Sequence, residues 1–305
     1  MKKYLPALAV IFAAILWSLD GFLRQKLFSL SSFTIITLEH VFGAIIFFPL
    51  LIKGWKEIQA MNQRGWVSVL WISICGGILG TFFYTKALSY VNYIDLSVVV
   101  LLQKFQPLFA IALAAVILKE PITKRFFLLA FSAIVGGYLI TFGAQSISDW
   151  DDRTLIAALL AILAAFSWGS STVLGKHALK RMAFPTVTAL RLVITAVITV
   201  FILFSTSQFE TIILITHIQW GYIILIVFST GSVALFFYYY GLKHLPASHT
   251  TIYELFWPLS AVALDWFVRD RTLQMVQWFG MVLLLGSIIL LTQENSNASD
   301  KIKSQ

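Results

Sequence analysis

The feature that most constrains this chain is a succession of ten apolar runs, at 5–23, 33–52, 66–88, 95–118, 125–142, 154–175, 184–204, 218–241, 248–267 and 274–292. A bilayer-spanning helix needs about 20 mainly apolar residues. The runs are apolar around most of their circumference, unlike helices at a water boundary. The expected fold is therefore an all-α integral membrane protein of ten transmembrane helices. Composition agrees. The 305 residues are 59% hydrophobic and 12% charged, where a soluble domain carries about 25% charged. Such a chain cannot cover itself for water, so lipid is its main solvent.

The net charge of +8 sits in short gaps between apolar runs. It forms no basic face with room to clamp phosphate, so nucleic acid is excluded as a partner. The single Cys75 excludes an internal disulfide, and no metal-ligand spacing occurs. Met1-Lys2-Lys3 before an apolar run resembles the start of a signal peptide. That run is long enough to span and lacks a small-x-small cleavage site, so it reads as an uncleaved first helix. With the N-terminus inside, the inner connections carry fourteen Lys and Arg, the outer ones five, and the spans three, 14 + 5 + 3 = 22 in all. Cytoplasmic segments carry the excess of Lys and Arg. Both termini are thus expected in the cytoplasm, with the protein in the inner or plasma membrane. The polar tail 293–305 is expected to be disordered.

The chain also repeats itself. Gly65-Trp66 and Phe82-Phe83-Tyr84 return as Trp220-Gly221 and Phe236-Phe237-Tyr238, with Trp66 and Phe82 each offset by 154. Trp17-Ser18 returns as Ser167-Trp168, Leu38-Glu39 as Leu190-Arg191, and Lys119-Glu120 as Arg269-Asp270. The repeats divide the chain into 5–142 and 154–292, with five runs in each. Five is odd, so the second half is expected to sit inverted relative to the first. Inverted repeats place a substrate site near the bilayer midplane, between the halves.

Gln103-Lys104-Phe105-Gln106-Pro107 lies inside the fourth run, and Glu254-Leu255-Phe256-Trp257-Pro258 takes the matching place in the ninth. A proline inside a helix displaces the carbonyl four residues earlier. Pro107 and Pro258 are therefore expected to kink their helices, freeing the carbonyls of Gln103 and Glu254 at one shared cavity.

Two five-helix halves with Trp17 and Trp168 in their first helices resemble the EamA-type members of the drug/metabolite transporter superfamily. Arg191 in Ala189-Leu190-Arg191-Leu192, the prolines Pro107 and Pro258, and the acids Glu120 and Asp270 complete the match. Glu39 stands where the family usually has arginine, and Asp270 replaces the more usual glutamate. The resemblance covers about residues 6–292. It implies a ten-helix carrier of small organic molecules and leaves the substrate open.

Ionisable groups at a helix centre cost about 2.5–3.5 kcal/mol on insertion scales, so they usually face an interior cavity. Glu254 is the first candidate, either as ligand to a cationic substrate group or proton carrier, or as the buried partner of a Lys or Arg. Lys104 either holds a substrate carboxylate or pairs with Glu254. Gln103 and Gln106 share a face, and Trp257 shares one with Glu254. Trp17, Trp168, Trp257 and Tyr238 are expected to line the cavity, with Phe82, Tyr84 and Tyr239 further candidates. Glu39 and Arg191 are gating or coupling candidates that pair with each other across the pseudo-twofold axis. Asp20, beyond Trp17, either lines the cavity or reaches the interface. Lys86, Tyr240 and Trp66 read as interfacial. Gly76 with Gly80 and Ser171 with Gly175 read as close-packing faces, and His244 and His249 as solvated loop residues.

No catalytic constellation and no nucleotide-binding glycine loop is present. The expectation is a secondary transporter, without a cofactor, working as a monomer in the bilayer. It carries small amphipathic metabolites such as amino acids by alternating access between the fourth and ninth helices. The alternative from another class is an integral membrane enzyme acting on a lipid or lipid-linked substrate. The symmetric placing of the polar residues at mid-span favours passage over chemistry.

Overall fold

The structure, a computed structural model, describes residues 3–27, 29–90, 102–103, 105–142, 152–208, 212–257, 259–260, 263–264 and 274–303. Among these residues every regular element is helical. In hydrocarbon each backbone N–H and C=O must be satisfied within its own segment, which leaves little but helix to a chain this apolar.

The first half comprises α1 (Leu5–Ser18), α2 (Asp20–Arg24), α3 (Ser32–Lys53), α4 (Trp55–Gln59), α5 (Gln63–Trp71), α6 (Gly80–Tyr90), α7 (Gln106–Leu113) and α8 (Lys124–Phe142). The second comprises α9 (Asp152–Leu179), α10 (Phe184–Ser205), α11 (His217–Ile226), α12 (Ser232–His244), α13 (Ala247–Tyr253) and α14 (Met275–Lys303). Five described stretches are long and apolar enough to cross a membrane: Ser32–Lys53, Gln63–Ala87, Leu155–Leu179, Phe184–Ser205 and His217–His244. Three shorter apolar helices, Leu5–Ser18, Gln106–Leu118 and Met275–Leu291, accompany them. About a third of the fourth and of the ninth run lies outside the described residues.

Two boundaries differ from the sequence expectation. The first run does not stay helical to 23. α1 stops at Ser18, whose hydroxyl donates back to the Ile15 carbonyl at 2.6 Å. A new helix starts at Asp20, where an acid suits the first turn. At the other end, α14 runs on through Lys303, across the polar stretch read as a disordered tail.

Helix ends are closed by local and distant groups. Ser31, Asn62 and Thr216 cap α3, α5 and α11, the last in a capping box with Gln219. Glu120 accepts the first backbone N–H groups of α13, from Ala247 at 2.7 Å and Ser248 at 3.0 Å.

Packing repeats between the halves. α1 lies on α12 and α6 on α9, while α3 packs against α10 and α8 against α14. At the last crossing two glycines meet. A Cβ on Gly136 would stand 2.7 Å from the Gly280 carbonyl oxygen, and one on Gly280 would stand 2.8 Å from that of Gly136. Small residues allow such approach where lipid gives apolar surfaces no reason to associate. α1 shows the same logic. Ala7, Ala9, Ala13 and Ala14 are buried, while Leu5, Leu8, Phe12 and Ile15 are exposed.

The equivalent first helices of the two halves run oppositely. A Cβ on Gly241, late in α12, would stand 2.7 Å from the Pro6 carbonyl, at the start of α1. Lys176, late in α9, donates to the carbonyls of Leu242 and Lys243 in α12, each at 2.9 Å. α1 therefore begins at the end of the bundle where α9 finishes. Lys243 returns the arrangement, donating to Leu179 and, at 2.9 Å, to Met182. Two lysines thus cap each other's helix termini, which favours cations at both.

Candidate functional site

Pro107 is not placed as the expected mid-helix kink. Pro107 sits in the first turn of α7, where its missing N–H is not needed, so it starts a helix instead of bending one. Phe105 caps that helix without a side-chain bond. In the other half α13 ends at Tyr253, with Glu254 as its C-cap. The Glu254 carbonyl is not free: it accepts the Trp257 N–H at 3.0 Å. Pro258, Lys104 and Asp270 lie outside the described residues.

The side chains around these two breaks meet. Gln106 Nε2 donates to Glu254 Oε2 at 2.6 Å, joining residues 148 apart in the chain. Gln103 Nε2 reaches Gln106 Oε1 at 3.4 Å. The other oxygens, Glu254 Oε1 and Gln103 Oε1, are buried and without a hydrogen-bond partner among the described residues. Tyr238 stands against the Glu254 carboxylate, and its hydroxyl shares a 2.7 Å bond with Thr172.

These groups line one cavity of about 230 Å³. Two aromatic pairs share its lining with these polar groups. Trp17 and Tyr238 lie 5.3 Å apart between ring centroids, with planes at 53°. Trp168 and Tyr84 lie 5.5 Å apart, also at 53°. Trp17 matches Trp168 in the repeat and Tyr84 matches Tyr238, so each pair joins the first helix of one half to the third helix of the other. Trp257 lines the same cavity.

A charged cluster forms another part of the lining. Arg24 binds Glu39 Oε2 at 2.7 Å and also binds Asp20, whose second oxygen accepts from Thr230 at 2.6 Å. Glu39 is therefore paired with Arg24, not with Arg191 as the sequence led us to expect. Arg191 instead donates from Nη1 to the Tyr239 hydroxyl at 2.9 Å, and its Nε has no partner among the described residues. Asp20 belongs to the cavity, not to the interface.

Two π-helical segments, Ile72–Leu79 and Val227–Gly231, interrupt the third helix of each half. Such bulges are frequent at functional sites. Each brings a glycine against a buried charge. A Cβ on Gly231 would stand 2.8 Å from Glu39 Oε1, and one on Gly76 would stand 2.8 Å from Arg191 Nη2. Gly76 and Gly80 press on Ser171 and Trp168, and Gly76 also lines the cavity. Lys86 lies over the Tyr90 ring at 5.5 Å and stays outside the site. Among the described residues no cluster of three His, Cys, Asp or Glu side chains could hold a metal ion.

Sequence reasoning missed Arg24, Thr172 and Thr230. Arg24 was counted with the outer connection, although its spacing of four from Asp20 places both on one helix face. The two threonines carry no signal of their own in an apolar run.

Comparisons with known proteins place the chain in a family. The EamA-like transporter family model matches twice, over residues 5–142 and 155–293. A riboflavin transporter, ImpX of Fusobacterium nucleatum subsp. nucleatum, is 37% identical over 294 residues, covering 95% of this chain and 98% of its own. A riboflavin transporter of Brucella anthropi is 20% identical over 262 residues, covering 86% and 88%. An uncharacterised transporter of Bacillus subtilis, YetK, is 22% identical over 263 residues, covering 83% and 76%. A solved crystal structure 16% identical in sequence superposes with a TM-score of 0.74 over 95% of this chain and 96% of that one, which shows the shared fold. With both halves matched, this chain is a transmembrane transporter that belongs to the EamA-like transporter family, of the drug/metabolite transporter superfamily.

Proposed function

We propose that this protein is a ten-helix secondary carrier of riboflavin or a closely related flavin, built from two inverted five-helix repeats in the cell membrane with both termini cytoplasmic. The substrate exchanges by alternating access around the cavity where α7 and α13 meet. The observation that carries the reading is that cavity itself. It holds a Gln106–Glu254 bond between opposed halves, flanked by two matched Trp–Tyr pairs. Aromatic walls with a few polar groups suit a flat ring bearing hydrophilic substituents. The names of two relatives supply the substrate class.

Amino acids, which the sequence favoured from Lys104 beside Glu254, have less support. Lys104 lies outside the described residues, and the described partner of Glu254 is a neutral amide. Of the three coupling or gating candidates, Glu39 is held by Arg24 and Arg191 by Tyr239. Glu254, with one free oxygen among the described residues, is the carboxylate we assign to substrate or proton.

Counterflow in proteoliposomes tests the reading. Vesicles loaded with unlabelled riboflavin are expected to accumulate labelled riboflavin above protein-free vesicles, and Glu254→Gln to lower the rate. Accumulation no greater than in protein-free vesicles would remove the flavin assignment.

A further inference from the structure

Resting on the flavin reading, the cavity also indicates which atoms recognise the ring. Riboflavin couples a flat tricyclic ring to a polyol tail. One edge of the ring is an imide, a single N–H between two carbonyls. Its natural complement is a carboxamide, which offers an acceptor and a donor side by side in one plane.

Among the described residues two carboxamides line the cavity, Gln103 and Gln106. Gln106 is engaged at both ends, donating to Glu254 at 2.6 Å and accepting from Gln103. Gln103 is not. Its Oε1 is buried with no partner among the described residues, and its Nε2 makes one long contact of 3.4 Å. A buried acceptor without a protein donor is unfavourable, so this oxygen is suited to accept a hydrogen bond from a ligand.

We infer that the Gln103 carboxamide is the specificity-determining group for the imide edge. Oε1 accepts from the ring N3–H and Nε2 donates to the adjacent C4 carbonyl, while the ring lies between the Trp17–Tyr238 and Trp168–Tyr84 pairs. Three further cavity atoms lack partners among the described residues: Thr251 Oγ1, Glu254 Oε1 and Arg191 Nε. Together they mix donor and acceptor, as the hydroxyls of a polyol tail require.

The experiment is counterflow with the full chain, using riboflavin and 3-methylriboflavin, in which N–CH₃ replaces the imide N–H. A site built to hydrogen-bond an N–H rejects the analogue that lacks it, so wild type is expected to favour riboflavin by about tenfold or more. Gln103→Leu is expected to lose about tenfold in riboflavin exchange and to handle the two flavins within about twofold of each other. Equal handling by wild type, or an unchanged preference in Gln103→Leu, overturns the assignment and leaves flavin transport standing. Exchange of neither flavin by wild type overturns the flavin reading itself. Should Gln103→Leu fail to fold, Gln103→Glu carries the test, since it keeps the acceptor and loses the donor. That variant is expected to keep the preference for riboflavin at about a tenth of the rate, and wild-type behaviour would overturn the role of Nε2.

Discussion

The bond between Gln106 and Glu254 should behave as a coupling between the two halves, and a double-mutant cycle measures it. Gln106→Leu removes the donor 2.6 Å from Oε2 and, among the described residues, leaves the carboxylate with only the Tyr238 hydroxyl against it. A hydrogen bond to a charged group contributes about 1.5–3 kcal/mol. Glu254→Leu alone strands the Gln106 amide, at about 1–3 kcal/mol. Removing both should cost less than the sum of the two, because paired apolar replacements leave nothing stranded. The expected coupling is therefore about 1.5–3 kcal/mol. At roughly 2–4 °C per kcal/mol, each single variant should lower the apparent Tm in detergent by about 2–12 °C, with the double variant recovering part of the loss. Strict additivity, with a coupling below about 0.5 kcal/mol, would refute the idea that this bond joins the halves. Transport is a separate readout, and both single variants should lose it.

Three further outcomes follow from the geometry. Arg24→Met leaves the buried Glu39 and the half-buried Asp20 without their cation, so it should lower stability by up to about 3–5 kcal/mol, read as a loss of folded protein on size-exclusion chromatography. Arg24→Lys, which keeps the charge, should recover part of it. Gly231→Ala places a methyl 2.8 Å from Glu39 Oε1 and 3.1 Å from the Ile226 carbonyl; it should slow riboflavin counterflow severalfold, while Gly221→Ala, with open space around it, should not. Lys176→Met uncaps the Leu242 and Lys243 carbonyls and should cost about 1–2 kcal/mol in thermal unfolding, with Lys243→Met adding less than its full effect because the two caps serve one junction.

How much of this was legible depends on contrast. Gln103, Gln106 and Glu254 stand out because polar groups in a long apolar run must be satisfied somewhere, and the repeat put Gln103 and Glu254 in matching places. Trp17, Trp168, Tyr84 and Tyr238 were visible through the same repeat, although nothing local says that Trp17 meets Tyr238 across the halves. Arg24 was hidden by its position beside a connection, where an arginine normally faces water. The partner of Glu39 was misjudged for that reason: symmetry pointed to Arg191, while an arginine fifteen residues away was nearer. The π-helical segments leave no mark, because apolar composition is compatible with either winding. Pro107 reads equally well as a kink or as a helix start, and only the break before Gln106 decides between them.

The central claim is that the cavity between α7 and α13 is where substrate binds. The most direct test is an experimental structure of the protein with riboflavin bound. The account predicts the ring between the Trp17–Tyr238 and Trp168–Tyr84 pairs, within hydrogen-bonding reach of Gln103 and with Glu254 at its border. Riboflavin seated anywhere outside that lining, with the Gln106–Glu254 cavity empty, would contradict it.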